Sequence, residues 1–140
     1  MCTLYIILVS HYGILNIIHR EHLSKIIVHP ENSDIIWVAS QGPLWSKGGD
    51  RGIYKTTDGG KTWAVIADGK SPGYRSCVQY IPNRNAKELV AVGFKGIDYS
   101  NDAGTNWKHL SDEGFYTIRF LNDSTAYAAG RGRISLLKFR

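Results

Sequence analysis

Two matching octapeptides constrain the fold of this chain more than any other feature of its 140 residues. The first, at 56–63, reads TTDGGKTW, and the second, at 100–107, reads SNDAGTNW. Each octet has a hydroxyl residue first, an aspartate third, a glycine fifth and a tryptophan last. Asp58 and Asp102 are 44 residues apart, and self-similarity at a fixed period of this size indicates stacked units of one structure.

The sequence around the octets repeats as well, in short segments rich in β-branched and aromatic residues that are typical of strands. Proline, asparagine, aspartate and glycine separate the segments. The segments are 25–30, 34–40, 52–57 and 63–67 in the first unit, 77–82, 88–93, 96–100 and 107–110 in the second, and 116–122, 125–130 and 133–139 in a third that has no octet. A four-stranded unit of this period suits a propeller blade. The sequence therefore predicts an all-β fold, a partial β-propeller with full blades at 24–67 and 76–110 and an incomplete third blade at 116–140.

Within each octet, the aspartate is placed to accept hydrogen bonds from backbone N–H groups of a turn. The glycine can adopt the positive φ that such a turn needs, and the tryptophan is expected to begin the outer strand and cover the turn. A structural role is therefore predicted for eight residues: Thr56, Asp58, Gly60, Trp63, Ser100, Asp102, Gly104 and Trp107.

Both octets resemble the Asp box, or bacterial neuraminidase (BNR) repeat, whose pattern is Ser/Thr-x-Asp-x-Gly-x-Thr-Trp. The first octet matches throughout, and the second has Asn106 in place of the threonine. Residues 25–63 resemble Asp-box propellers of the sortilin and xyloglucanase type, and residues 73–139 resemble photosystem II assembly-factor-like propellers. The resemblance implies a sialidase-like propeller fold with ligands bound opposite the Asp boxes. It implies no single activity, because such propellers include sialidases, glucanases, receptors and assembly factors. Asp-box propellers are often exported, so the resemblance points outside the cytoplasm, although the sequence itself identifies no compartment.

Four connections are predicted to share the face opposite the octets, because alternate turns of a blade lie at opposite ends. They are 41–51, 67–76, 111–116 and 130–133, and long loops on a rigid scaffold are where function tends to lie. The candidate ligand-binding residues on them are Trp45, Asp50, Arg51, Tyr74, Arg75, Glu113 and Arg131.

Aromatic and cationic side chains are the most informative of these candidates. Trp45 and Tyr74 are suited to stacking on a sugar ring or to anchoring a protein partner. The three arginines come from successive segments and could bind a common anion. The alternative is structural: Trp45 covers the base of its loop, and Arg75 bonds to backbone carbonyls beside the central axis.

Two classes of glycosidase can be compared with these loops. A sialidase needs three arginines, a tyrosine nucleophile and an acid, and the candidates above supply those residue types, but the Arg-Ile-Pro signature of the family is absent. An inverting glucanase needs two carboxylates facing across a cleft, and four acids lie on suitable loops: Asp50, Asp68, Asp112 and Glu113. No catalytic residue is assigned. The predicted function is a non-catalytic scaffold for binding or assembly, and the alternative is a piece of a secreted glycoside hydrolase.

No metal or cofactor is expected. Cys2 and Cys77 form no CxxC or Cys/His pattern, and no dinucleotide fingerprint is present. His19 and His22 lack the zincin spacing, and His109 is expected to be an ordinary strand-edge residue. The net charge of +5 is scattered and accompanies no nucleic-acid-binding module, so no nucleic-acid partner is predicted.

The N-terminal residues 1–23 are predicted to form short strands. The apolar run at 1–18 is interrupted by polar residues and makes a poor membrane span. Two and a half blades do not close a ring, so missing blades or self-association should cover the open ends. Residues 3–9 could supply the outer strand of the third blade if the ring is complete.

Overall fold

Eleven strands form three antiparallel sheets in a computed structural model, which describes residues 22–42, 51–66, 72 and 74–140. The strands are β1 (His22–Val28), β2 (Ile36–Gly42), β3 (Gly52–Thr56), β4 (Ala64–Ile66), β5 (Cys77–Tyr80), β6 (Leu89–Gly93), β7 (Gly96–Ser100), β8 (Lys108–Ser111), β9 (Thr117–Phe120), β10 (Thr125–Gly130) and β11 (Arg133–Lys138). Sheet 1 contains β1–β4, sheet 2 contains β5–β8 and sheet 3 contains β9–β11, each in chain order. The predicted all-β fold with two four-stranded units and an incomplete third is confirmed.

None of the described segments is a helix long and apolar enough to cross a membrane. The strands predicted at 1–23 lie outside the described residues, except for the last two positions, which belong to β1.

In both full sheets, the octet begins at the same position of the strand pairing. In sheet 1, Ile36 of β2 pairs with Thr56, the last residue of β3. In sheet 2, Leu89 of β6 pairs with Ser100, the last residue of β7. The octets therefore occupy equivalent corners of neighbouring four-stranded units.

The sheets pack face to face through apolar side chains. Trp37 and Ile53 of sheet 1 are buried in one cluster with Leu89 and Ala91 of sheet 2. The next residues of β6, Val90 and Val92, point to the other side. Their cluster includes Cys77, Ile97, Phe115, Ile118, Ala126 and Ala128, which joins sheet 2 to sheet 3. Strand β6 is thus buried on both faces, which explains its continuous apolar sequence LVAVG.

The two octet tryptophans precede the outer strands instead of beginning them, which corrects the sequence-based expectation. Strand β4 begins at Ala64 and β8 begins at Lys108. The indole N–H of Trp63 donates to the carbonyl of Gly60, and that of Trp107 donates to the carbonyl of Gly104, both at 3.0 Å. Each tryptophan is therefore held by the turn.

Sheet 3 leaves one apolar face in solvent. Tyr127 pairs directly with Leu136 on this face, and Ile134 lies beside them. Tyr127, Ile134 and Leu136 are 47%, 74% and 51% exposed. We call these three residues the outer face of sheet 3.

Candidate binding surface

The first octet forms a closed network around Thr56 and Asp58. The hydroxyl of Thr56 donates to Asp58 Oδ1 at 2.7 Å and accepts the amide N–H of Gly60 at 3.0 Å. Asp58 Oδ1 also accepts the amide of Thr62 at 2.9 Å, and Oδ2 accepts the Thr62 hydroxyl at 2.5 Å. The turn between β3 and β4 is therefore held by its own side chains.

The second octet repeats this network bond for bond. Ser100 donates to Asp102 Oδ1 at 2.8 Å and accepts the amide of Gly104 at 2.9 Å. Asp102 Oδ1 accepts the amide of Asn106 at 2.8 Å, and Oδ2 accepts the Asn106 side-chain amide at 2.7 Å. Asn106 thus makes the same hydrogen bond as the threonine of the first octet. Its Nδ2 donates to Asp102 Oδ2, as the Thr62 hydroxyl donates to Asp58 Oδ2.

These bonds favour the ionised aspartates. The side-chain and backbone hydrogen bonds from Thr62 hold the pKa of Asp58 far below its usual range. The pKa of Asp102 is lowered mainly by the backbone N–H of Asn106. Both shifts follow from donors that bond to the charged form.

The second octet also contacts the neighbouring sheet. A Cβ on Gly104 would lie 2.0 Å from Cη2 of Trp37, and the φ of Gly104 is +77°. The Trp37 and Trp107 rings meet edge to face with centroids 6.5 Å apart. Lys55 Nζ lies 4.7 Å above the Trp37 ring and donates to the Ala103 carbonyl at 3.1 Å. This turn is therefore part of the interface between sheets 1 and 2.

The octets lie at the same end of the sheets as the β1–β2 and β5–β6 turns. The amide of Gly59 donates to the Asp34 carbonyl at 3.0 Å, and that of Ala103 donates to the Lys87 carbonyl at 2.8 Å. The β9–β10 turn lies at this end too, since Arg84 Nη2 donates to the Asp123 carbonyl at 3.2 Å. The described residues of the other connections lie at the opposite end, because the strands of each sheet alternate in direction. We call the described part of this end the loop surface; its residues are 51, 74–76, 94–95, 112–116 and 131–132.

Aromatic and cationic groups from three connections meet on the loop surface. The guanidinium carbon of Arg51 lies 5.6 Å from the centroid of the Tyr74 ring. Tyr74 contacts Phe94 of the β6–β7 turn, with ring centroids 6.1 Å apart, and Phe94 is 46% exposed. Burial raises the pKa of the Tyr74 hydroxyl. Trp45 and Asp50, two of the sequence-predicted candidates, lie outside the described residues.

A chain of charged side chains runs beneath this patch. Arg75 is buried and forms an ion pair with Asp98, which is fully buried. Arg75 Nη1 also donates to the Tyr74 carbonyl at 2.8 Å, in keeping with the structural alternative for this residue. The Asp98 carboxylate faces His109 Nδ1 at 3.1 Å, and His109 Nε2 lies 3.0 Å from Asp112.

His109 is more than the strand-edge residue expected from sequence, because it bridges two carboxylates. Its hydrogen bonds, first to Asp112 and then to Asp98, raise its pKa. Arg75, Asp98 and His109 therefore link the β4–β5 connection to strands β7 and β8.

The remaining candidates lie around the connection between β8 and β9. Glu113 forms an ion pair with Arg133, and the Arg133 guanidinium carbon lies 4.9 Å from the Phe115 ring centroid. Arg131, in the β10–β11 turn with a φ of +54°, lines a groove of about 330 Å³ with Glu113, Arg133 and Asp112.

The three candidate arginines lie in three different surroundings. Arg51 lies over Tyr74, Arg75 is buried against Asp98, and Arg131 lines the groove beside Glu113. The carboxylates of Asp112 and Glu113 are each engaged by a neighbouring cation or histidine. In the described ranges, no group of three histidine, cysteine, aspartate or glutamate side chains is arranged to hold a metal ion.

The sequence analysis placed Phe115 and Arg133 on this face within the connections 111–116 and 130–133 but did not single them out, and it did not identify Phe94 or Asp98. A signal existed for Asp98, which interrupts the apolar strand β7, and its register partner in β8 is His109. The sequence carries no such signal for the contacts of Arg133. They join β11 to the β8–β9 connection, and no local sequence pattern determines how these two segments lie relative to each other.

Comparison with known proteins shows a fold in common with larger enzymes. No protein-family model matches the chain, and no curated protein matches it. Among solved structures, an ancestral GH74 enzyme superposes with a TM-score of 0.63 at 18% identity, over 83% of this chain and 17% of that one. The GH74 enzyme of Niastella koreensis gives a TM-score of 0.60 at 22% identity, over 81% of this chain and 19% of that one. YCF48 bound to D1 peptide gives a TM-score of 0.48 at 16% identity, over 83% of this chain and 40% of that one.

The chain spans less than a fifth of the length of the GH74 enzymes that it resembles. Together with the three stacked sheets, the likeness shows that the fold is a partial β-propeller with two full blades and an incomplete third.

Proposed function

We propose that this partial β-propeller is a non-catalytic scaffold that binds a protein segment or another ligand on its loop surface. The observation that carries the proposal is the patch of Arg51, Tyr74 and Phe94, in which Phe94 is 46% exposed and the other two are partly buried. Three separate connections contribute to it. Aromatic rings beside arginine are the composition of binding hot spots.

The state of the nearby acids supports a non-catalytic role. A pair of glycosidase carboxylates acts on the two sides of the scissile bond, one as acid and the other as base or nucleophile. Asp112 is bonded to His109, and Glu113 is paired with Arg133. Asp98 is buried beside Arg75. All three carboxylates therefore serve to hold the loops in place.

We further propose that the octets are Asp boxes whose role is structural and that the blades belong to a larger propeller. Their equivalent hydrogen-bond networks support the first part. The exposed outer face of sheet 3 supports the second, because an apolar face of this kind is normally covered by a neighbouring blade.

Binding can be tested by affinity capture with matched variants. A partner of the loop surface should be retained by the wild-type chain and lost with Arg51→Ala or Phe94→Ala. Leu121→Ala, which changes a 62% exposed side chain of the β9–β10 turn, is the control and should leave capture unchanged. A partner lost equally with all three variants would contradict the proposed surface.

The second candidate is a piece of a glycoside hydrolase, and assays on the same protein separate it from the first. Binding on a glycan array, together with turnover of a fluorogenic glycoside that disappears in Glu113→Gln, would assign the loop surface to carbohydrate chemistry. We expect no turnover.

A further inference from the structure

His109 lies beneath the loop surface with a carboxylate on each side of its ring. Nδ1 lies 3.1 Å from Asp98 of β7, and Nε2 lies 3.0 Å from Asp112, the first residue after β8. Gly96 leaves the space that the ring occupies, since an added Cβ there would lie 2.6 Å from His109 Cε1. The imidazole is therefore fixed between a strand and the β8–β9 connection.

The two carboxylates differ in how firmly they are held. Asp98 is fully buried and forms an ion pair with Arg75. The Asp112 side chain is fully exposed, and among the described residues its carboxylate bonds only to His109. A change in the charge of the imidazole therefore releases Asp112 first, because Asp98 is also held by Arg75.

Only one protonation state of the imidazole can donate to both carboxylates. The neutral ring has one N–H and one lone pair, whereas the protonated ring has two N–H groups. Loss of one proton therefore leaves one carboxylate without a donor. The buried Asp98 keeps the remaining N–H, because an unpaired carboxylate costs more in the interior than in water.

The segment that begins with Asp112 packs against the patch proposed for binding. Gly114 lies so close to the backbone of Phe94 that an added Cβ would be 2.4 Å from the Phe94 carbonyl oxygen. The amide of Phe115 donates to the Gly93 carbonyl at 3.0 Å. The hydrogen bond between His109 and Asp112 therefore holds a connection that lies directly on the β6–β7 turn.

We propose that His109 is a proton-dependent clamp on the loop surface, which holds the β8–β9 connection against Phe94 while both ring nitrogens are protonated and releases it at Asp112 when one proton leaves. Its effect on binding rests on the function proposed above for this surface. A clamped connection keeps the patch in one arrangement, and a preorganised surface binds more tightly than a mobile one. Binding at the loop surface should therefore weaken as the pH rises.

The electrostatics of the ring give the direction of this pH dependence. Hydrogen bonds to Asp112 and then to Asp98 raise the pKa of His109. The clamp is therefore closed below the ordinary histidine value of about 6.5 and opens as the pH rises through the raised value. Among the described residues, these two carboxylates are the charged groups that act on the ring, and Arg75 reaches it only through Asp98.

The clamp is tested without any ligand, by NMR titration of the isotopically labelled full chain from mildly acidic to mildly basic pH. The His109 ring signals and the backbone amide of Gly114 should shift with one common midpoint. Asp112→Asn should lower the midpoint of the ring and remove the coupled shift of the amide, because the carboxylate that favours the charged ring is gone. Asp123→Asn, which removes the same charge from an exposed turn at the octet end, is the control and should leave both unchanged.

The effect on binding is tested with anilinonaphthalene sulfonate, an aromatic dye whose sulfonate stays charged throughout the titration. The part of its fluorescence that disappears in Phe94→Ala reports the loop surface. The dissociation constant of this part should rise about twofold or more from mildly acidic to mildly basic pH, as the connection loses its fixed position. The same constant should be independent of pH in Asp112→Asn.

The two readouts separate the clamp from the binding function. A ring midpoint that is the same in Asp112→Asn and Asp123→Asn, or a Gly114 amide that does not follow the ring, overturns the clamp. Dye binding that depends on Phe94 but not on pH overturns the regulation and leaves the loop surface as a binding site. Absence of Phe94-dependent binding at every pH contradicts the proposed function, and the NMR titration alone then decides the clamp.

Discussion

Gly104 shows how a single residue serves both a turn and an interface between sheets. Its positive φ belongs to the octet turn, while its missing side chain leaves room for the Trp37 ring of the neighbouring sheet. A glycine could be expected here from the octet pattern, but the tryptophan against it could not.

Gly104→Ala should destabilise the protein more than Gly132→Ala. Gly132 has the same φ of +77° with no atom within 4 Å of an added Cβ, so it measures the backbone strain alone, roughly 1 kcal/mol. At Gly104, overpacking against Trp37 should add roughly 1–3 kcal/mol. Urea denaturation measures both free energies of unfolding, and equal losses would mean that the contact with Trp37 carries no cost.

Asp58 and Asp102 should make stability depend on pH on the acid side. Because hydrogen bonds lower the pKa of both aspartates in the folded state, their contribution is complete above the unfolded value of about 4. It is lost as the pH falls through the lower folded values. Denaturation midpoints measured from neutral to strongly acidic pH should therefore decrease as the pH falls below about 4.

The double variant Asp58→Asn, Asp102→Asn should flatten that acid decline, since neither side chain can then titrate. Asp123→Asn, a change at an exposed turn position, is the control and should keep it. An acid decline of wild-type size in the double variant would show that other groups cause it.

At the scale of the element, sheets 1 and 2 are joined by a hydrogen bond between two side chains as well as by apolar packing. The Trp37 indole N–H donates to the Tyr80 hydroxyl at 2.8 Å, and Trp37 is fully buried. The bond crosses from β2 to β5, so it depends on how the two sheets face each other.

Tyr80→Phe should therefore cost roughly 1–3 kcal/mol of stability, because it leaves a buried indole N–H without its acceptor. Tyr127→Phe removes a hydroxyl from a ring that is 47% exposed and should be nearly neutral. Guanidinium denaturation of the two variants gives the comparison. A Tyr80→Phe variant as stable as Tyr127→Phe would show that the indole finds another acceptor.

For the whole molecule, the outer face of sheet 3 is an exposed apolar surface that no other described segment covers. Ile134 and Leu136 lie on it beside Tyr127. Exposed apolar patches of this kind favour association.

Ile134→Lys combined with Leu136→Lys should reduce concentration-dependent association while leaving the melting temperature close to that of the wild type. Light scattering and thermal unfolding measure the two effects. Leu121→Lys, at a 62% exposed turn position, is the control for added charge. If Leu121→Lys suppresses association as strongly as the double variant, net charge rather than the outer face is responsible.

Much of the architecture was predictable because its signals are local. The strands of the full sheets follow from short β-branched segments between turn residues, and the two octets define equivalent corners through bonds within eight residues. The bounds of the short strand β4 and the position of Trp63 were predicted less accurately, because the Trp63 indole N–H donates back to the turn.

The candidate surface was only partly predictable. Alternation of turns in a meander places Arg51, Tyr74 and Glu113 at one end, and sequence reasoning could use that rule. It could not tell that Arg75 would be buried against Asp98, because the pair joins residues from different strands and its geometry depends on how they pack.

The sequence by itself determined the repeat, the strands, the octet turns and the end of the blades at which each loop lies. These features depend on hydrogen bonds and side-chain alternation over a few neighbouring residues. Only the tertiary structure decided which residues meet: Gly104 with Trp37, Arg75 with Asp98, and Arg133 with Glu113. Those contacts depend on how one sheet faces the next, a geometry that follows from packing across the whole interface and is written in no single segment.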